Sequence, residues 1–305
     1  MRDAFTTALT KLAEKDKNIV FLTGDLGYGV FDNFESRFNQ QYFNVGISEQ
    51  NMIGLATGLA LEGKKIVTYS IGNFGTLRCL EQIRNDACYH DVNITIVANG
   101  GGFSYGPLGM SHHTTEDLSI MRAFPNISVL APCTEHDASE ATTALINKEG
   151  VGYLRLDKDS AKDCFSKDPF VIGKSRRYKE GKDLTLIATG GILSEAYIAR
   201  EELKKLGIEA RLVGMHSIKP IDVDEIKDST QNTGGIVTIE EHNKDGGLGS
   251  AVSEVCMDLK MIPKKFLRIG LDNKFSSIVG TQQYLRSRYE IDNKAIVKKV
   301  LELIK

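Results

Sequence analysis

No run of apolar residues in this 305-residue chain reaches the ~18 that a membrane-crossing helix needs, so no membrane span is expected. The chain begins Met1-Arg2-Asp3-Ala4-Phe5-Thr6-Thr7-Ala8-Leu9, which is amphipathic and carries an acid. It lacks the apolar centre of a signal peptide. Charge of one sign is also missing: the formal net charge is -2, which argues against nucleic acid or an anionic membrane as a main partner. Cysteines number five (Cys79, Cys88, Cys133, Cys164, Cys256), with no Cys-x-x-Cys pair among them. An odd, scattered set suggests neither a disulfide framework nor zinc. Buried free thiols in a reducing cytoplasm are the expectation. No Gly-x-Gly-x-x-Gly accompanies Gly27-Tyr28-Gly29, so that pair alone is weak evidence for a nucleotide. Internal repeats and low-complexity tracts are absent.

What remains is an ordinary globular composition, 41% hydrophobic and 26% charged, with length for about two domains. Short apolar runs at 18–23, 65–70, 92–98, 126–131 and 151–155 read as buried parallel strands. They alternate with helical patterns at 3–14, from Glu49 to about residue 60, at 74–89, from Thr115 onward, and at 135–147. Residues 157–183 are polar and charged and read as a linker, with a short strand at 170–172. A second alternating unit comes after it, with strands at 184–189, 209–213, 235–240 and 265–269, and helices at 194–206, 246–259 and 294–304. The pattern predicts an α/β protein of two doubly wound, mostly parallel domains. The expected limits are 1–157, a linker at 158–183, and 184–305.

One stretch organises the first unit: Asn44-Val45-Gly46-Ile47-Ser48-Glu49-Gln50-Asn51-Met52. It joins a strand end to a helix, with Ser48 placed to cap the helix and Glu49 in its first turn, where the dipole suits a carboxylate. The small and apolar residues after it make a helix able to lie close against a neighbour. Taken alone, this is equally a capped, buried helix with an incidental acid.

In register with this stretch are Asn73-Phe74, Arg78, Glu81-Gln82-Ile83-Arg84, Gly106-Pro107-Leu108-Gly109-Met110-Ser111-His112, Glu116 to Arg122, Pro125-Asn126, Tyr153-Leu154-Arg155, Glu240-Glu241-His242 and Gly246-Gly247-Leu248-Gly249. Together they resemble the carboxyl-terminal half of the transketolase family, over nearly the whole chain. The resemblance implies a thiamine pyrimidine-binding domain followed by a smaller transketolase C-terminal-like domain. It also implies thiamine diphosphate, whose thiazolium does the carbon chemistry.

Carried over by the resemblance, Glu49 would hydrogen-bond the aminopyrimidine from an apolar, partly desolvated pocket. Phe74 would stack on that ring. Asp25 would lie near the cofactor at a subunit contact. His112 would bond a substrate oxygen, and Arg155 would grip a sugar phosphate. No metal ligand is expected in this chain. The family's magnesium site uses a Gly-Asp-Gly that is missing here, since Gly24-Asp25-Leu26 differs at its third residue. The diphosphate-binding half and its Mg2+ would belong to a separate subunit, in a heterotetramer.

Two departures concern the substrate. Where the family commonly has a histidine, this chain has Gly100, and where it has an aspartate, Leu108. Loss of these polar groups implies weaker reading of donor hydroxyls. The expected function is a subunit of a transketolase-type transferase, moving a two-carbon ketol unit from a ketose phosphate to an aldose. The alternative is a subunit of a related enzyme acting on a 2-oxo acid, like deoxyxylulose phosphate synthase or the beta subunit of oxo-acid dehydrogenases. A non-catalytic scaffold is a third class, opposed by the intact Glu49 and Phe74.

Overall fold

A computed structural model describes all residues 1–305. Its strands are β1 (Ile19–Thr23), β2 (Tyr42–Asn44), β3 (Lys65–Ile71), β4 (Ile94–Asn99), β5 (Ile127–Leu130), β6 (Val151–Leu156), β7 (Arg176–Lys179), β8 (Leu184–Thr189), β9 (Ala210–Gly214), β10 (Ser217–Lys219), β11 (Ile236–Asn243) and β12 (Phe266–Leu271). The first sheet has the order β10-β5-β6-β4-β3-β1-β2 and the second β12-β11-β8-β9-β7. Only β10 and β7, each at an edge, run antiparallel. Every residue of β1, β6 and β8 is buried. That is why these strands read as continuous apolar runs: helices cover both faces of a parallel sheet.

The register of the first sheet sets the site. Thr23 pairs with Tyr69, Ile71 with Asn99, and Asn99 with Leu156. The carboxyl ends of β1, β3, β4 and β6 therefore finish along one line. The segments leaving these ends (Gly24, Asn73-Phe74, the glycine loop from Gly100, and Asp157-Lys158) gather along one edge of the sheet, the usual ligand position in such folds.

The second domain steadies that edge. β10 leaves the second domain and extends the first sheet, with Ser217 opposite Leu130. Glu241, at the end of β11, accepts a hydrogen bond from the Phe103 amide at 2.5 Å and another from Gln282 at 2.9 Å, and it pairs with Arg286. Phe103 in the glycine loop also stacks on Tyr289, ring centroids 5.4 Å apart. One cluster of 30 buried apolar residues runs from the first sheet into the second domain.

Several local expectations change. The helix anticipated at 74–89 is broken into a tight turn at Leu77–Cys79, one α-turn at Leu80–Gln82 and a wide, π-type turn at Ile83–Cys88. Periodicity does not distinguish these winds, and π-turns gather at functional sites. No strand forms at 170–172. The pairing segment is β7, four residues further on and inside the stretch expected as linker. Its Arg176 is drawn in by the buried Asp137 and also pairs with the half-buried Glu140. Four elements had no sequence expectation: β10 and the helices Asp32–Arg37, Val223–Asn232 and Gln282–Arg288, the third of these four capped by Asp222. All five cysteines are free and buried. No helix is long and apolar enough to cross a membrane.

Candidate active site

Glu49 is the first residue of the helix Glu49–Leu61 and only 3% exposed. Ser48 precedes it but does not cap it: its hydroxyl donates instead to the Val45 carbonyl at 2.7 Å. That bond tightens the turn that aims Glu49 inward. The carboxylate accepts from the Ser70 hydroxyl at 3.3 Å and from Arg78 Nη1 at 3.3 Å. Gly24, at the end of β1, lies against it. A Cβ there would sit 3.7 Å from Glu49 Oε1.

The Arg78 guanidinium also lies over the ring of Phe74, 3.7 Å from its centroid. One flat, hydrogen-bond-donating group thus bridges the Glu49 carboxylate and the Phe74 face. These are the two contacts an aminopyrimidine would make, stacking on one side and donating to a carboxylate on the other. Arg78 is 45% exposed, so its side chain is free to swing away. The guanidinium stands in for the ring, and the residues fit the group that the resemblance implies.

His112 completes the wall. Its ring is 5.0 Å from that of Phe74, and its Nδ1 lies 3.0 Å from the Ser111 hydroxyl. Burial, then the charges of Arg78 and His113, hold its pKa below the usual imidazole value, so the ring is neutral at pH 7. Asn73 ties the loop to β3 by donating to the His113 carbonyl at 2.6 Å.

Asp25 sits one residue from Gly24, in the left-handed region at φ 53. Its carboxylate accepts from Tyr28 at 2.5 Å and from Asn44 at 3.0 Å. These bonds hold its pKa below the usual aspartate value. It borders the Glu49 pocket rather than entering it.

Arg155 corrects the sequence reading. The resemblance assigns it to a phosphate, but it is 1% exposed and locked between the domains. Its Nε lies 3.3 Å from Asp157 and 3.7 Å from Asp117, and its Nη2 donates to the Glu241 carbonyl at 2.9 Å. Its alternating position on β6 turns it inward, where two buried carboxylates match its charge. The exposed cation is Lys158, three residues on, which makes no ion pair within the chain. Lys158, Arg2, Ser104, Asn99 and Tyr105 line a cavity of about 430 Å3 beside Gly100, together with the acids Asp3, Glu135 and Asp157. Sequence reasoning missed Lys158 because a lone lysine in a charged stretch carries no pattern.

Gly100 also differs from expectation. Its φ is +95, and a Cβ built there would run into the Tyr105 ring. The space is filled rather than left bare. The Tyr105 hydroxyl is fixed by Asn99 Nδ2 at 2.6 Å, so a polar group stands near this position.

Residues 1–162 match the family described as transketolase, pyrimidine binding domain, and residues 173–296 match transketolase, C-terminal domain. The chain belongs to the transketolase family. Among its relatives is a subunit of the apulose-4-phosphate transketolase of Phocaeicola vulgatus, 34% identical over 100% of this chain and 97% of that one. A solved structure described as split gene transketolase, inactive beta4 tetramer, superposes with a TM-score of 0.90 at 35% identity, covering 99% of this chain and 97% of that one. By contrast, 1-deoxy-D-xylulose-5-phosphate synthase of Halothermothrix orenii is 33% identical over 98% of this chain but only 47% of its own length. The chain thus carries the family's pyrimidine-binding and C-terminal domains, and it spans nearly all of the split relatives but about half of the synthase. Membership implies thiamine diphosphate as the cofactor.

Proposed function

We propose that this transketolase subunit, joined to a second chain carrying the diphosphate-binding half, transfers a two-carbon ketol unit from a ketose phosphate to an aldose acceptor. The observation that carries the reading is the Glu49–Arg78–Phe74 arrangement, in which the guanidinium holds the place between carboxylate and ring that an aminopyrimidine would take. The apulose-4-phosphate relative, named as one subunit of its enzyme, and the full-length match to a split-gene chain support the two-chain organisation. We take the assembly to be a heterotetramer, two of each chain, with Mg2+ held by the partner. The five buried thiols suit a reducing cytoplasm.

Thiamine diphosphate, when bound, supplies the carbon that carries the ketol unit. This chain's residues do the rest. Glu49 shares a proton between its carboxylate and the aminopyrimidine, in a pocket dry enough for the bond to count. Phe74 orients that ring by stacking. Neutral His112 donates to, or accepts from, a substrate oxygen on the far side of Phe74. Lys158, with Arg2, offers positive charge to the anionic end of a sugar phosphate in a cavity that Asp3, Glu135 and Asp157 also line. Asp25, next to Gly24, borders the cofactor pocket from the partner's side.

The 2-oxo acid reading stays second: the synthase match spans half of that enzyme. Reconstitution separates the cases. The purified chain should turn nothing over; with its diphosphate-binding partner it should form a ketose phosphate from xylulose 5-phosphate or a modified ketose donor and an aldose. Full ketol transfer by the single chain overturns the two-subunit reading. Turnover of pyruvate, with none of any ketose phosphate, overturns the transketolase reading.

A further inference from the structure

Tyr105 has an unusual position in the glycine loop. Its ring fills the volume into which a side chain at position 100 would project, and the backbone at Gly100 (φ +95) is held in place by a bond from its amide to the Leu156 carbonyl at 2.7 Å. The phenol oxygen accepts from Asn99 Nδ2, its one hydrogen-bond partner in the chain. Its own O–H is therefore an uncommitted donor. The neighbouring hydroxyl is committed. Ser104 donates to the Gly101 carbonyl at 2.7 Å and accepts from the Lys158 amide at 3.1 Å. Leu108 is exposed and apolar.

The location places this donor beside His112, the residue proposed above to meet a substrate oxygen. The Tyr105 ring is 6.4 Å from that of His112, which is 5.0 Å from Phe74. On its other side Tyr105 lines the cavity that holds Lys158. Tyr105 therefore joins the His112 side of the loop to a cavity that Lys158 and Arg2 share with Asp3, Glu135 and Asp157. Burial also pushes its pKa up, so the phenol keeps its proton at neutral pH.

We propose that Tyr105 is a specificity-determining residue of this subunit: its O–H, aimed by Asn99, donates to one hydroxyl oxygen in the middle of the sugar chain, from the space that Gly100 leaves open. Asn99 is a positioning residue, acting through Tyr105. The proposal rests on the ketol-transfer reading above. It makes the Gly100 departure a change of reader, from a side chain on the strand end to one reaching back from the loop.

The test uses the assembled complex with hydroxypyruvate as donor and ribose 5-phosphate, 2-deoxyribose 5-phosphate and 3-deoxyribose 5-phosphate as acceptors. The ratio of kcat/KM is measured, or of inhibition constants for an acceptor that binds without turnover. The native complex should favour ribose 5-phosphate over one deoxy analogue by on the order of tenfold or more, the scale of one hydrogen bond. Tyr105→Phe should bring that ratio near one, mainly through KM for ribose 5-phosphate. Asn99→Ala should lower it partway. A ratio unchanged by Tyr105→Phe, whether or not overall activity falls, overturns the proposal alone. A native complex with no ketol transfer to any sugar overturns the reading beneath it, and the proposal with it.

Discussion

Replacing Glu49 with glutamine keeps the side chain's volume and removes one negative charge and the ability to share a proton. The structure separates the two consequences. Glu49 is buried, but its ionic partner Arg78 is 45% exposed at 3.3 Å, so solvent screens the pair to about 0–1 kcal/mol. The amide oxygen still accepts from Ser70, and a buried carboxylate no longer has to be desolvated. The net change in folding stability should stay within about 1 kcal/mol, a shift in melting temperature of about 2–4 °C. Proton sharing is lost altogether. Exchange of the cofactor's C2 proton in the assembled complex should fall by about 10² or more, the scale of general acid–base catalysis, or roughly 2.7 kcal/mol of barrier. Exchange is read by NMR after acid quench, and stability by calorimetry on the same sample. Unchanged exchange in the variant refutes the assignment of Glu49. A collapse in stability would show that the carboxylate is there for folding.

The other predictions concern the arginine that the structure reassigns and the acid–base pair between the domains. Arg155→Ala leaves Asp117 and Asp157 buried without their cation and should cost about 3–5 kcal/mol in chemical denaturation. Lys158→Ala, at an exposed site, should change stability by less than about 0.5 kcal/mol while raising KM for phosphorylated sugars and sparing unphosphorylated ones. The reverse pattern would restore Arg155 as the phosphate ligand. Burial pushes Glu240 up to about 7, against the amides of Gly249 and Leu248, and pushes the adjacent His242, 3.6 Å away, down to about 4. From pH 4.5 to 7 Glu240 binds its proton more tightly folded than unfolded, so its contribution to stability falls as pH rises. From pH 4 to 6.5 His242 binds its proton less tightly folded, so its contribution rises. The two slopes oppose each other. Glu240→Gln should steepen the gain in stability from pH 4 to 6.5, and an unaltered profile in urea titrations would refute the opposition.

That Glu49 and Phe74 belong to one site was an expectation carried by the family's residue order; in the structure both lie against Arg78. A carboxylate at a helix start and an aromatic after a buried strand are local facts, fixed by spacing. The strand–helix alternation was equally plain, since strands buried on both faces must be apolar throughout. The broken winding at 77–88 was not legible: α, 3₁₀ and π turns place apolar residues at nearly the same intervals.

What the sequence determined by itself was the class of the fold, the order of its elements and the acid at its centre, because those depend on short-range pattern. The tertiary structure alone decided which charges are available. Arg155 and Lys158 are three residues apart and alike in sign, yet one is sealed between domains by Asp117, Asp157 and the Glu241 carbonyl, and the other faces a cavity. It also decided that Tyr105 occupies the space beside Gly100. Both outcomes depend on contacts between chain segments distant in sequence or folded back by a loop. Burial is a property of the neighbours a residue meets in space, and no local pattern records it.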